Sequence, residues 1–392
     1  MKDRMYDRDV SRSRAGRRRM GRGMRRRITA MLVCLVAMVA VMFSVVSLFA
    51  WIRDRVRGDV AASGEDVVDG TGSIVSVDEN GNVVDADGNV VGVLSGSVGL
   101  SPEEVEVQVA DARQQAATEV LEGIRTRLND GDSVLEALRP LYPNDMIVYS
   151  GGQYHIVPID YSLKQRDWQD ANLNILETGE YQYLQDGQVV SHKGIDVSEF
   201  QGNIDWSLVA QDGVEFAFIR AAYRGYGTGK LVEDANFDAN VQGAQAAGIK
   251  VGAYVYSQAI TEEEVVEEAN LVLQKIAPYN MECPIVFDVE KVPGADGRMN
   301  ALSVEERTRL TQVFCQTIEA AGHRPMLYYN TEMGIMMLEL AALEGYDKWF
   351  AAYREDFYYP YAYKIWQYSQ TGRVQGIQTE VDLNISFEPL WQ

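Results

Sequence analysis

The carboxyl-terminal half of the sequence predicts an α/β fold, an irregular (β/α) TIM-like barrel of eight strands. Three observations predict it. Eight short apolar runs follow one another from Lys193 onward, helical patterns with start and stop signals separate several of them, and the series fills about 200 residues. Apolar strands that alternate with helices indicate a mostly parallel sheet, and eight such strands fit a closed barrel.

The eight predicted strands are short apolar runs rich in β-branched and aromatic residues. They span residues 193–200, 216–223, 250–257, 284–290, 324–330, 348–353, 363–369 and 380–386. The last connections are short, and a parallel crossover needs about a dozen residues or more. We therefore expect an irregular barrel in which some helices near the end are missing.

Four helices are predicted between these strands. Thr261 and Ser303 each begin a capping box, and Gly248 and Gly322 each stand where a helix should stop. The predicted helices span residues 238–247, 261–276, 303–321 and 332–343.

Residues 28–52 predict a transmembrane helix ahead of the barrel. The run is uncharged, and at 1.5 Å per residue it would span about 37 Å, enough to cross a bilayer. Lys2 and eleven Arg precede it and only three Arg follow closely, so the positive-inside rule places the amino terminus in the cytoplasm. A cleaved signal peptide is the alternative, but its apolar region is normally about 7–15 residues.

The distribution of charge excludes a nucleic-acid partner for most of the chain. The 392 residues include 36 Lys/Arg and 57 Asp/Glu, of which fifteen and four lie in residues 1–57. The remaining residues hold 21 basic and 53 acidic side chains, a net charge of −32. Such an acidic body cannot replace the counterions of nucleic-acid phosphates.

We predict five segments. Residues 1–27 form a basic cytoplasmic arm, residues 28–52 the transmembrane helix, and residues 53–100 a Gly/Asp/Val-rich linker with a short repeat whose Asn-Gly and Asp-Gly pairs favour turns between Val-rich strands. Residues 101–190 read as a small α+β spacer module with one long helix and two hairpins. Residues 191–392 form the barrel. The catalytic domain is therefore expected outside a single-pass anchor in the cell membrane.

The cysteines and histidines indicate no special chemistry. Cys283 and Cys315 are expected to be buried free thiols, with a disulfide between them as the alternative. The three histidines are scattered along the chain, at His155, His192 and His323. We predict no metal site and no cofactor.

Four carboxylates stand where barrel chemistry is expected, at the carboxyl ends of strands. Asp288 and Glu290 end the fourth strand, Asp196 is late in the first, and Asp382 lies in the eighth, beside the first once the barrel closes. Residues i and i+2 of a strand face the same side, so Asp288 and Glu290 should point together into the mouth. Carboxylates held close raise one another's pKa, so one can stay protonated and act as a general acid.

Aromatic and amide side chains also occur at strand ends. Such groups suit sugar rings, although each aromatic residue is about as easily explained as part of the core. The predicted substrate-binding residues are Tyr254, Tyr256, Tyr329, Asn330, Trp349, Tyr353, Trp366 and Gln367. Arg220, one of few cations in these strands, is expected to pair with Asp196 or Asp288.

The ordered motifs "GIDVSEFQGNIDW", "FAFIRA", "GAYVYS", "DVE", "WFAAY", "IWQYSQTGRVQGI" and "VDLN" resemble glycoside hydrolase family 25, the lysozymes (N-acetylmuramidases) of bacteria and phages. The resemblance covers about residues 193–387. It implies that Glu290 is the catalytic acid and Asp288 a second catalytic carboxylate, and that Asp196 and Asp382 line the same site.

The resemblance implies hydrolysis of the β-1,4 bond between N-acetylmuramic acid and N-acetylglucosamine, with peptidoglycan glycan strands as the partner. Since Asp288 lies beside Glu290 on one strand, the two do not flank a sugar as an ordinary nucleophile and acid do. Substrate assistance by the acetamido group is expected, and inversion through Asp196 or Asp382 is the alternative.

Two other functions stay open at this point. One is a non-catalytic peptidoglycan-binding module on a membrane scaffold, and the other is a barrel hydrolase that acts on chitin-like polymers. Loss of turnover in Glu290→Gln and a comparison of substrates would separate these hypotheses.

Overall fold

The computed structural model describes residues 67–68, 74–77, 82–85, 90–93, 102–292, 297–354 and 357–391. The predicted basic arm and the predicted transmembrane helix at residues 28–52 lie outside these ranges. Within them, no helix combines the length and the apolar character that a bilayer crossing requires.

The chain divides after Thr118 into two units. The first contains a four-stranded antiparallel sheet of very short strands, in the order in which they occur in the sequence. These strands confirm that the Val-rich runs around the repeat are extended. They are β1 (Val67–Val68), β2 (Ile74–Val77), β3 (Asn82–Asp85) and β4 (Val90–Val93).

The second unit, Glu119–Gln392, begins within a long helix and continues into two hairpins, as predicted. The first hairpin turns at Gly151 and Gly152, and the second turns at Asp186 and Gly187. All four of these turn residues have positive φ. The elements are α1 (Pro102–Asp130), α2 (Val134–Leu138), β5 (Asp145–Ser150), β6 (Gln153–Pro158), β7 (Leu173–Ile175), β8 (Tyr181–Gln185) and β9 (Gln188–Val189).

Eight strands then close into the predicted barrel. They are β10 (His192–Val197), β11 (Phe216–Arg224), β13 (Lys250–Ser257), β14 (Ile285–Val289), β15 (Pro325–Asn330), β16 (Asp347–Ala351), β17 (Ile365–Gly372) and β18 (Val381–Ser386), with β12 (Leu231–Glu233) added to the edge of β11. Closure comes from β10, which pairs with both β11 and β18. All neighbours in the barrel are parallel except β18, which is antiparallel to β17 and to β10.

Three of the four predicted helices are confirmed, and both N-caps stand where expected, although only Ser303 forms the full capping box. The Thr261 side chain accepts from the Glu264 backbone N–H, and Ser303 and Glu306 cap each other reciprocally. The fourth prediction, residues 332–343, is wrong. One π turn at Met333–Met337 and one 3-10 turn at Leu340–Leu343 replace a continuous helix. The helices of the barrel are α3 (Trp206–Gln211), α4 (Phe237–Ala246), α5 (Glu262–Ile276) and α6 (Val304–Ala320).

The barrel interior is filled by its own apolar cluster. Gly194 and Gly252 leave room for it, because a Cβ at either position would overlap the ring of Phe216 or Phe218. The main inward side chains are Phe216, Phe218, Val286, Met326, Tyr328, Trp349 and Ile365. The interior is therefore a packed floor, and chemistry is confined to the strand ends above it.

The segment predicted as a spacer packs on the outside of the strands that lack helices. Trp168 stacks on Phe387 with ring centroids 4.8 Å apart and lies 6.4 Å from the parallel ring of Trp366. Backbone hydrogen bonds also join the two parts, since Arg166 N donates to Pro360 O and Ala362 N donates to Lys164 O, each at 2.8 Å. This segment therefore shares one apolar core with the barrel and takes the place of missing helices. The domain boundaries themselves stay a prediction.

Cys283 and Cys315 are buried free thiols, which confirms that expectation for the described residues. They lie in different apolar layers, Cys283 with the interior cluster and Cys315 in the outer core under α6. Burial raises the pKa of the Cys283 thiol to about 12 and also raises the pKa of Cys315.

A buried ion pair joins α5 to the barrel wall. Arg224 Nε donates to Glu268 Oε1 at 2.6 Å, and the Ser257 hydroxyl donates to Glu268 Oε2 at 2.7 Å. The side chains of Arg224 and Glu268 are 3% and 0% exposed. Burial raises the pKa of Glu268 to about 7, against the hydrogen bonds from Ser257 and Arg224 that lower it.

This raised pKa predicts a pH-dependent stability. Below about pH 4.5 Glu268 is protonated in both states, whereas between about 4.5 and 7 only the unfolded chain releases the proton. Its contribution to the free energy of unfolding therefore falls as pH rises through that window and is constant above it. Glu268→Gln should flatten this slope in urea unfolding measured from pH 4.5 to 8. The exposed Glu263→Gln, on the same helix, should keep the slope, and parallel curves for wild type and Glu268→Gln would contradict the prediction.

Candidate active site

The two carboxylates at the end of β14 lie where the strand reaches the barrel mouth. Phe287 faces outward and stacks on Phe314 of α6 at 4.5 Å, so the alternate residue Asp288 faces inward and is buried. The pairing register places Asp288 between Tyr256 of β13 and Tyr328 of β15. Glu290 is the first residue beyond the strand.

Asp196 and Asp382 are direct partners across the antiparallel pair of β10 and β18. Opposed residues share one face of a sheet and have Cβ atoms about 4.5–5.5 Å apart. Asp196 is buried, and Asp382 is partly exposed. Closure of the barrel thus brings together two carboxylates that are 186 positions apart in the sequence.

The pKa values of three tyrosines indicate that several negative charges lie close together at this mouth. The pKa values of Tyr254, Tyr328 and Tyr353 are raised well above the usual range, first by removal of the phenol from water and then by neighbouring charges. At Tyr254 the cation of Arg220 opposes the rise. Each of the four carboxylates raises the pKa of two of these three phenols, so all four surround one site.

A chain of hydrogen bonds fixes Asp196. Gln367 Nε2 and Asn384 Nδ2 both donate to Asp196 Oδ2, at 2.7 and 2.8 Å. Trp349 Nε1 donates to Asn384 Oδ1 at 2.8 Å, and the hydroxyl of Tyr328 donates to Gln367 Oε1 at 2.6 Å. Both amides are therefore oriented with their donors toward the carboxylate, which is held in one geometry as an acceptor.

Removal of one amide tests this arrangement. Asn384→Leu leaves Trp349 Nε1 buried without its acceptor and takes one donor from Asp196. We expect the free energy of unfolding to fall by about 1–3 kcal/mol, and kcat/KM to fall by about tenfold or more. Urea unfolding and turnover of peptidoglycan check these values. Gln375→Leu, at an exposed position, is the control, and equal behaviour of the two variants would contradict the prediction.

Five of the eight predicted substrate-binding residues lie inside the barrel or at its mouth: Tyr254, Tyr256, Trp349, Tyr353 and Gln367. Their contact with substrate stays a prediction. Trp349 forms the floor, with its ring 4.8 Å from that of Tyr328. Gln367 uses both amide atoms within the protein, so its part is to position Asp196.

Two of the other three predicted substrate-binding residues, Tyr329 and Trp366, require correction, and contact of Asn330 with substrate stays a prediction. Tyr329 faces outward, where its hydroxyl meets that of Tyr359 at 2.9 Å, because its neighbour Tyr328 takes the inward position. Trp366 likewise faces the outer core, since Gln367 points in. Asn330 Oδ1 accepts from the Met333 backbone N–H and caps the following turn.

Arg220 does not form the predicted bridge to Asp196 or Asp288. Its Nε donates to Asp234 Oδ2 at 2.8 Å, and an Nη2 contact reaches Glu199 at 3.4 Å. The chain that follows β12 brings Asp234 beside β11, which the sequence pattern did not indicate.

Gln258 is a site residue that the sequence analysis missed. It directly follows β13 and is fully buried. Its Nε2 donates to the backbone carbonyl of Glu290 at 3.1 Å, and its Oε1 accepts from Met299 N at 3.3 Å. Arg298, paired with Glu264 at 2.8 Å, donates to the Gln258 carbonyl. The position of Glu290 is thus supported through its own main chain, and the rule of strand ends would have flagged Gln258.

Comparison with known proteins agrees with this architecture. Residues 195–377 match the family described as Glycosyl hydrolases family 25. The Uncharacterized protein YegX of Escherichia coli (strain K12) is 32% identical over 204 residues, which cover 49% of this chain and 68% of that protein. Lysozyme M1 of Streptomyces globisporus is 29% identical over 205 residues, covering 49% and 66%.

Among solved structures, the bacterial lysozyme from Streptomyces coelicolor is 26% identical, with a TM-score of 0.41, and the match covers 49% of this chain and 90% of that one. The family match spans the strands that carry Asp196, Asp288 and Glu290. The protein therefore belongs to glycosyl hydrolase family 25 and is a glycoside hydrolase.

Proposed function

We propose that the protein is a lysozyme-like peptidoglycan hydrolase that cleaves the β-1,4 bond between N-acetylmuramic acid and N-acetylglucosamine. The observation that carries this proposal is the convergence of four carboxylates at one barrel mouth. Membership of the family and the similarity to Lysozyme M1 support the substrate class. All four acids are present at the mouth, so no observation favours a purely binding module.

Glu290 is the proposed proton donor. It stands just beyond β14, partly exposed at the mouth, and its main chain is held by Gln258. It would transfer a proton to the glycosidic oxygen as the bond from that oxygen to the anomeric carbon breaks. The departing sugar leaves as an alcohol, and Glu290 becomes the carboxylate that can later take a proton from water.

Asp288 has the proposed role of holding the acetamido group. Asp288 lies on the same strand as Glu290, so the two carboxylates do not stand on opposite sides of the scissile bond as a nucleophile and an acid would. The acetamido oxygen of N-acetylmuramic acid would bond to the anomeric carbon while Asp288 accepts the amide N–H. Water then attacks that carbon, gives its proton to Glu290 and reopens the ring with retained configuration.

Inversion is the alternative, with Asp196 or Asp382 activating water. Asp196 already accepts hydrogen bonds from two amides, so its carboxylate is fixed. A fixed carboxylate suits the orientation of substrate better than the activation of a water molecule. Proton NMR of the first products decides between the two. A β anomer supports substrate assistance, and an α anomer would exclude it.

Product analysis tests the substrate assignment. Purified peptidoglycan incubated with the protein should release muropeptides that end in reducing N-acetylmuramic acid, identified by mass spectrometry after reduction. Chitin oligomers should be cleaved at least tenfold more slowly. Release of fragments that end in reducing N-acetylglucosamine would overturn the assignment.

We also propose that residues 28–52 anchor the protein in the cell membrane, with the barrel on the outer face. This part rests on the sequence of residues 1–57 alone. Carbonate extraction of membranes should retain the full chain, and deletion of residues 1–57 should release it. Protease added to intact spheroplasts should digest the barrel. A mature chain shortened by a cleaved signal peptide would contradict the anchor.

A further inference from the structure

We propose that the hairpin β5–β6 is a glycan-binding surface that continues the active-site cleft beyond the barrel, an inference that rests on the proposed function. The hairpin lies outside residues 195–377, which match the family. It therefore would add to the barrel a means of holding a long glycan strand.

The tip of the hairpin is attached to the rim of the mouth. The Ser150 hydroxyl donates to Glu332 Oε1, and Lys291 Nζ donates to the same oxygen at 2.5 Å. Lys291 directly follows Glu290, and Glu332 stands two residues beyond the end of β15. One carboxylate thus joins the hairpin tip to the segment that carries the proposed proton donor.

The hairpin exposes an aromatic face next to this attachment. Tyr149 and Tyr154 are cross-strand partners, with ring centroids 5.0 Å apart and planes inclined at 58°. Their side chains are 57% and 42% exposed, and Ile156 on the same face is 38% exposed. The opposite face, which includes Met146 and Val148, is buried in the core. Because the face with Met146 and Val148 is buried, the face with Tyr149 and Tyr154 must point toward solvent.

The support behind the hairpin makes this surface rigid. Ile159 N donates to Asn144 O at 2.9 Å, which closes the open end of the hairpin. Asp160 N donates to the Tyr361 hydroxyl at 2.9 Å, and the Arg139 guanidinium lies 3.5 Å from the ring centroid of Tyr358. A surface that is already ordered loses little conformational entropy on binding.

The chemistry of the face fits a glycan strand. Tyrosine offers an apolar ring face and a hydroxyl, which match the C–H faces and hydroxyls of sugar rings. A muramidase acts on one linkage of a polymer, so the rest of the strand must leave the mouth and cross the rim. The two tyrosines also add no negative charge, which would repel the carboxylates of peptidoglycan.

Paired substrates test the proposal in the full-length chain. The variant Tyr149→Ala/Tyr154→Ala should raise the apparent KM for polymeric peptidoglycan by about tenfold, the loss of two stacking contacts. With a tetrasaccharide, which leaves fewer sugar rings to extend beyond the mouth, the change should stay below twofold. Tyr161→Ala is the matched control, because Tyr161 is 62% exposed and lies beyond the other end of the hairpin.

Two results would overturn the proposal: unchanged kinetics on polymer, or equal loss on both substrates. Cosedimentation with insoluble peptidoglycan gives a second measurement that does not need turnover, and the double variant should bind about tenfold more weakly. If the wild-type chain cleaves neither substrate, the proposed function fails. Cosedimentation then still decides whether the hairpin binds glycan, and equal binding of wild type and double variant refutes it.

Discussion

Glu290→Gln is expected to lower kcat by about 10²–10⁴-fold, the range for removal of a general acid. Glutamine keeps the shape of the side chain but has no proton of suitable acidity to give to the glycosidic oxygen. KM and thermal stability should change little, since Gln258 holds Glu290 through its backbone carbonyl, which the substitution retains. The release of reducing ends from peptidoglycan measures kcat.

Glu282→Gln is the matched control. Glu282 lies just before the opposite end of the same strand, where it pairs with Lys250 at 2.6 Å, away from the mouth. Its loss should leave turnover within about twofold, as expected for a partly exposed ion pair. Retention of more than a tenth of wild-type kcat in Glu290→Gln would exclude Glu290 as the proton donor. Persistent binding without turnover in that variant would distinguish a lost catalyst from a lost site.

Arg224→Met is expected to lower the free energy of unfolding by about 3–5 kcal/mol, the range for breaking a buried ion pair. The reason is Glu268, which would keep its place in the core after the cation at 2.6 Å is removed. Urea unfolding monitored by tryptophan fluorescence measures the loss. At pH 5 the loss should be smaller, because Glu268 then takes up a proton more readily.

A double-mutant cycle isolates this interaction. Arg224→Met combined with Glu268→Leu should recover most of the stability, since no unpaired charge then remains in the core. Arg309→Met is the control, because Arg309 and Glu262 form an exposed pair at 2.9 Å worth about 0–1 kcal/mol. A loss in Arg224→Met no larger than in Arg309→Met would refute the argument.

Much of the barrel was predictable because its signals are local. Each strand is a short apolar run. Ser303 and Thr261 mark the start of their helices, because each side chain accepts a hydrogen bond from the first turn. The error at residues 332–343 has a different origin. Gly334 packs against the Tyr329 ring, where a Cβ would come within 2.7 Å, and this tertiary contact outweighs a helical pattern that already contains a poor helix former. The antiparallel direction of β18 also follows from a connection too short for a crossover.

The candidate site was predictable as a set of acids and much less as a network. Strand alternation and strand ends bring Asp288 and Glu290 to the mouth, but alternation alone does not say which of Tyr328 and Tyr329 faces inward. That choice depends on the Trp349 and Gln367 side chains from other strands. The partners of Asp196 come from β17 and β18, and the packing of the segment around Trp168 on the barrel joins residues nearly 200 positions apart. No local signal encodes such contacts.

The separation of Cys283 from Cys315 by the barrel wall has a consequence for biogenesis. Both thiols are buried, have raised pKa values and lie in different layers. The two cysteines therefore cannot form a disulfide with each other in the described fold. Folding of the described part of the chain therefore requires no disulfide bond between these two cysteines. We therefore expect residues 119–392 to reach the same fold in a reducing cytosol as in an oxidising compartment, with both thiols reduced.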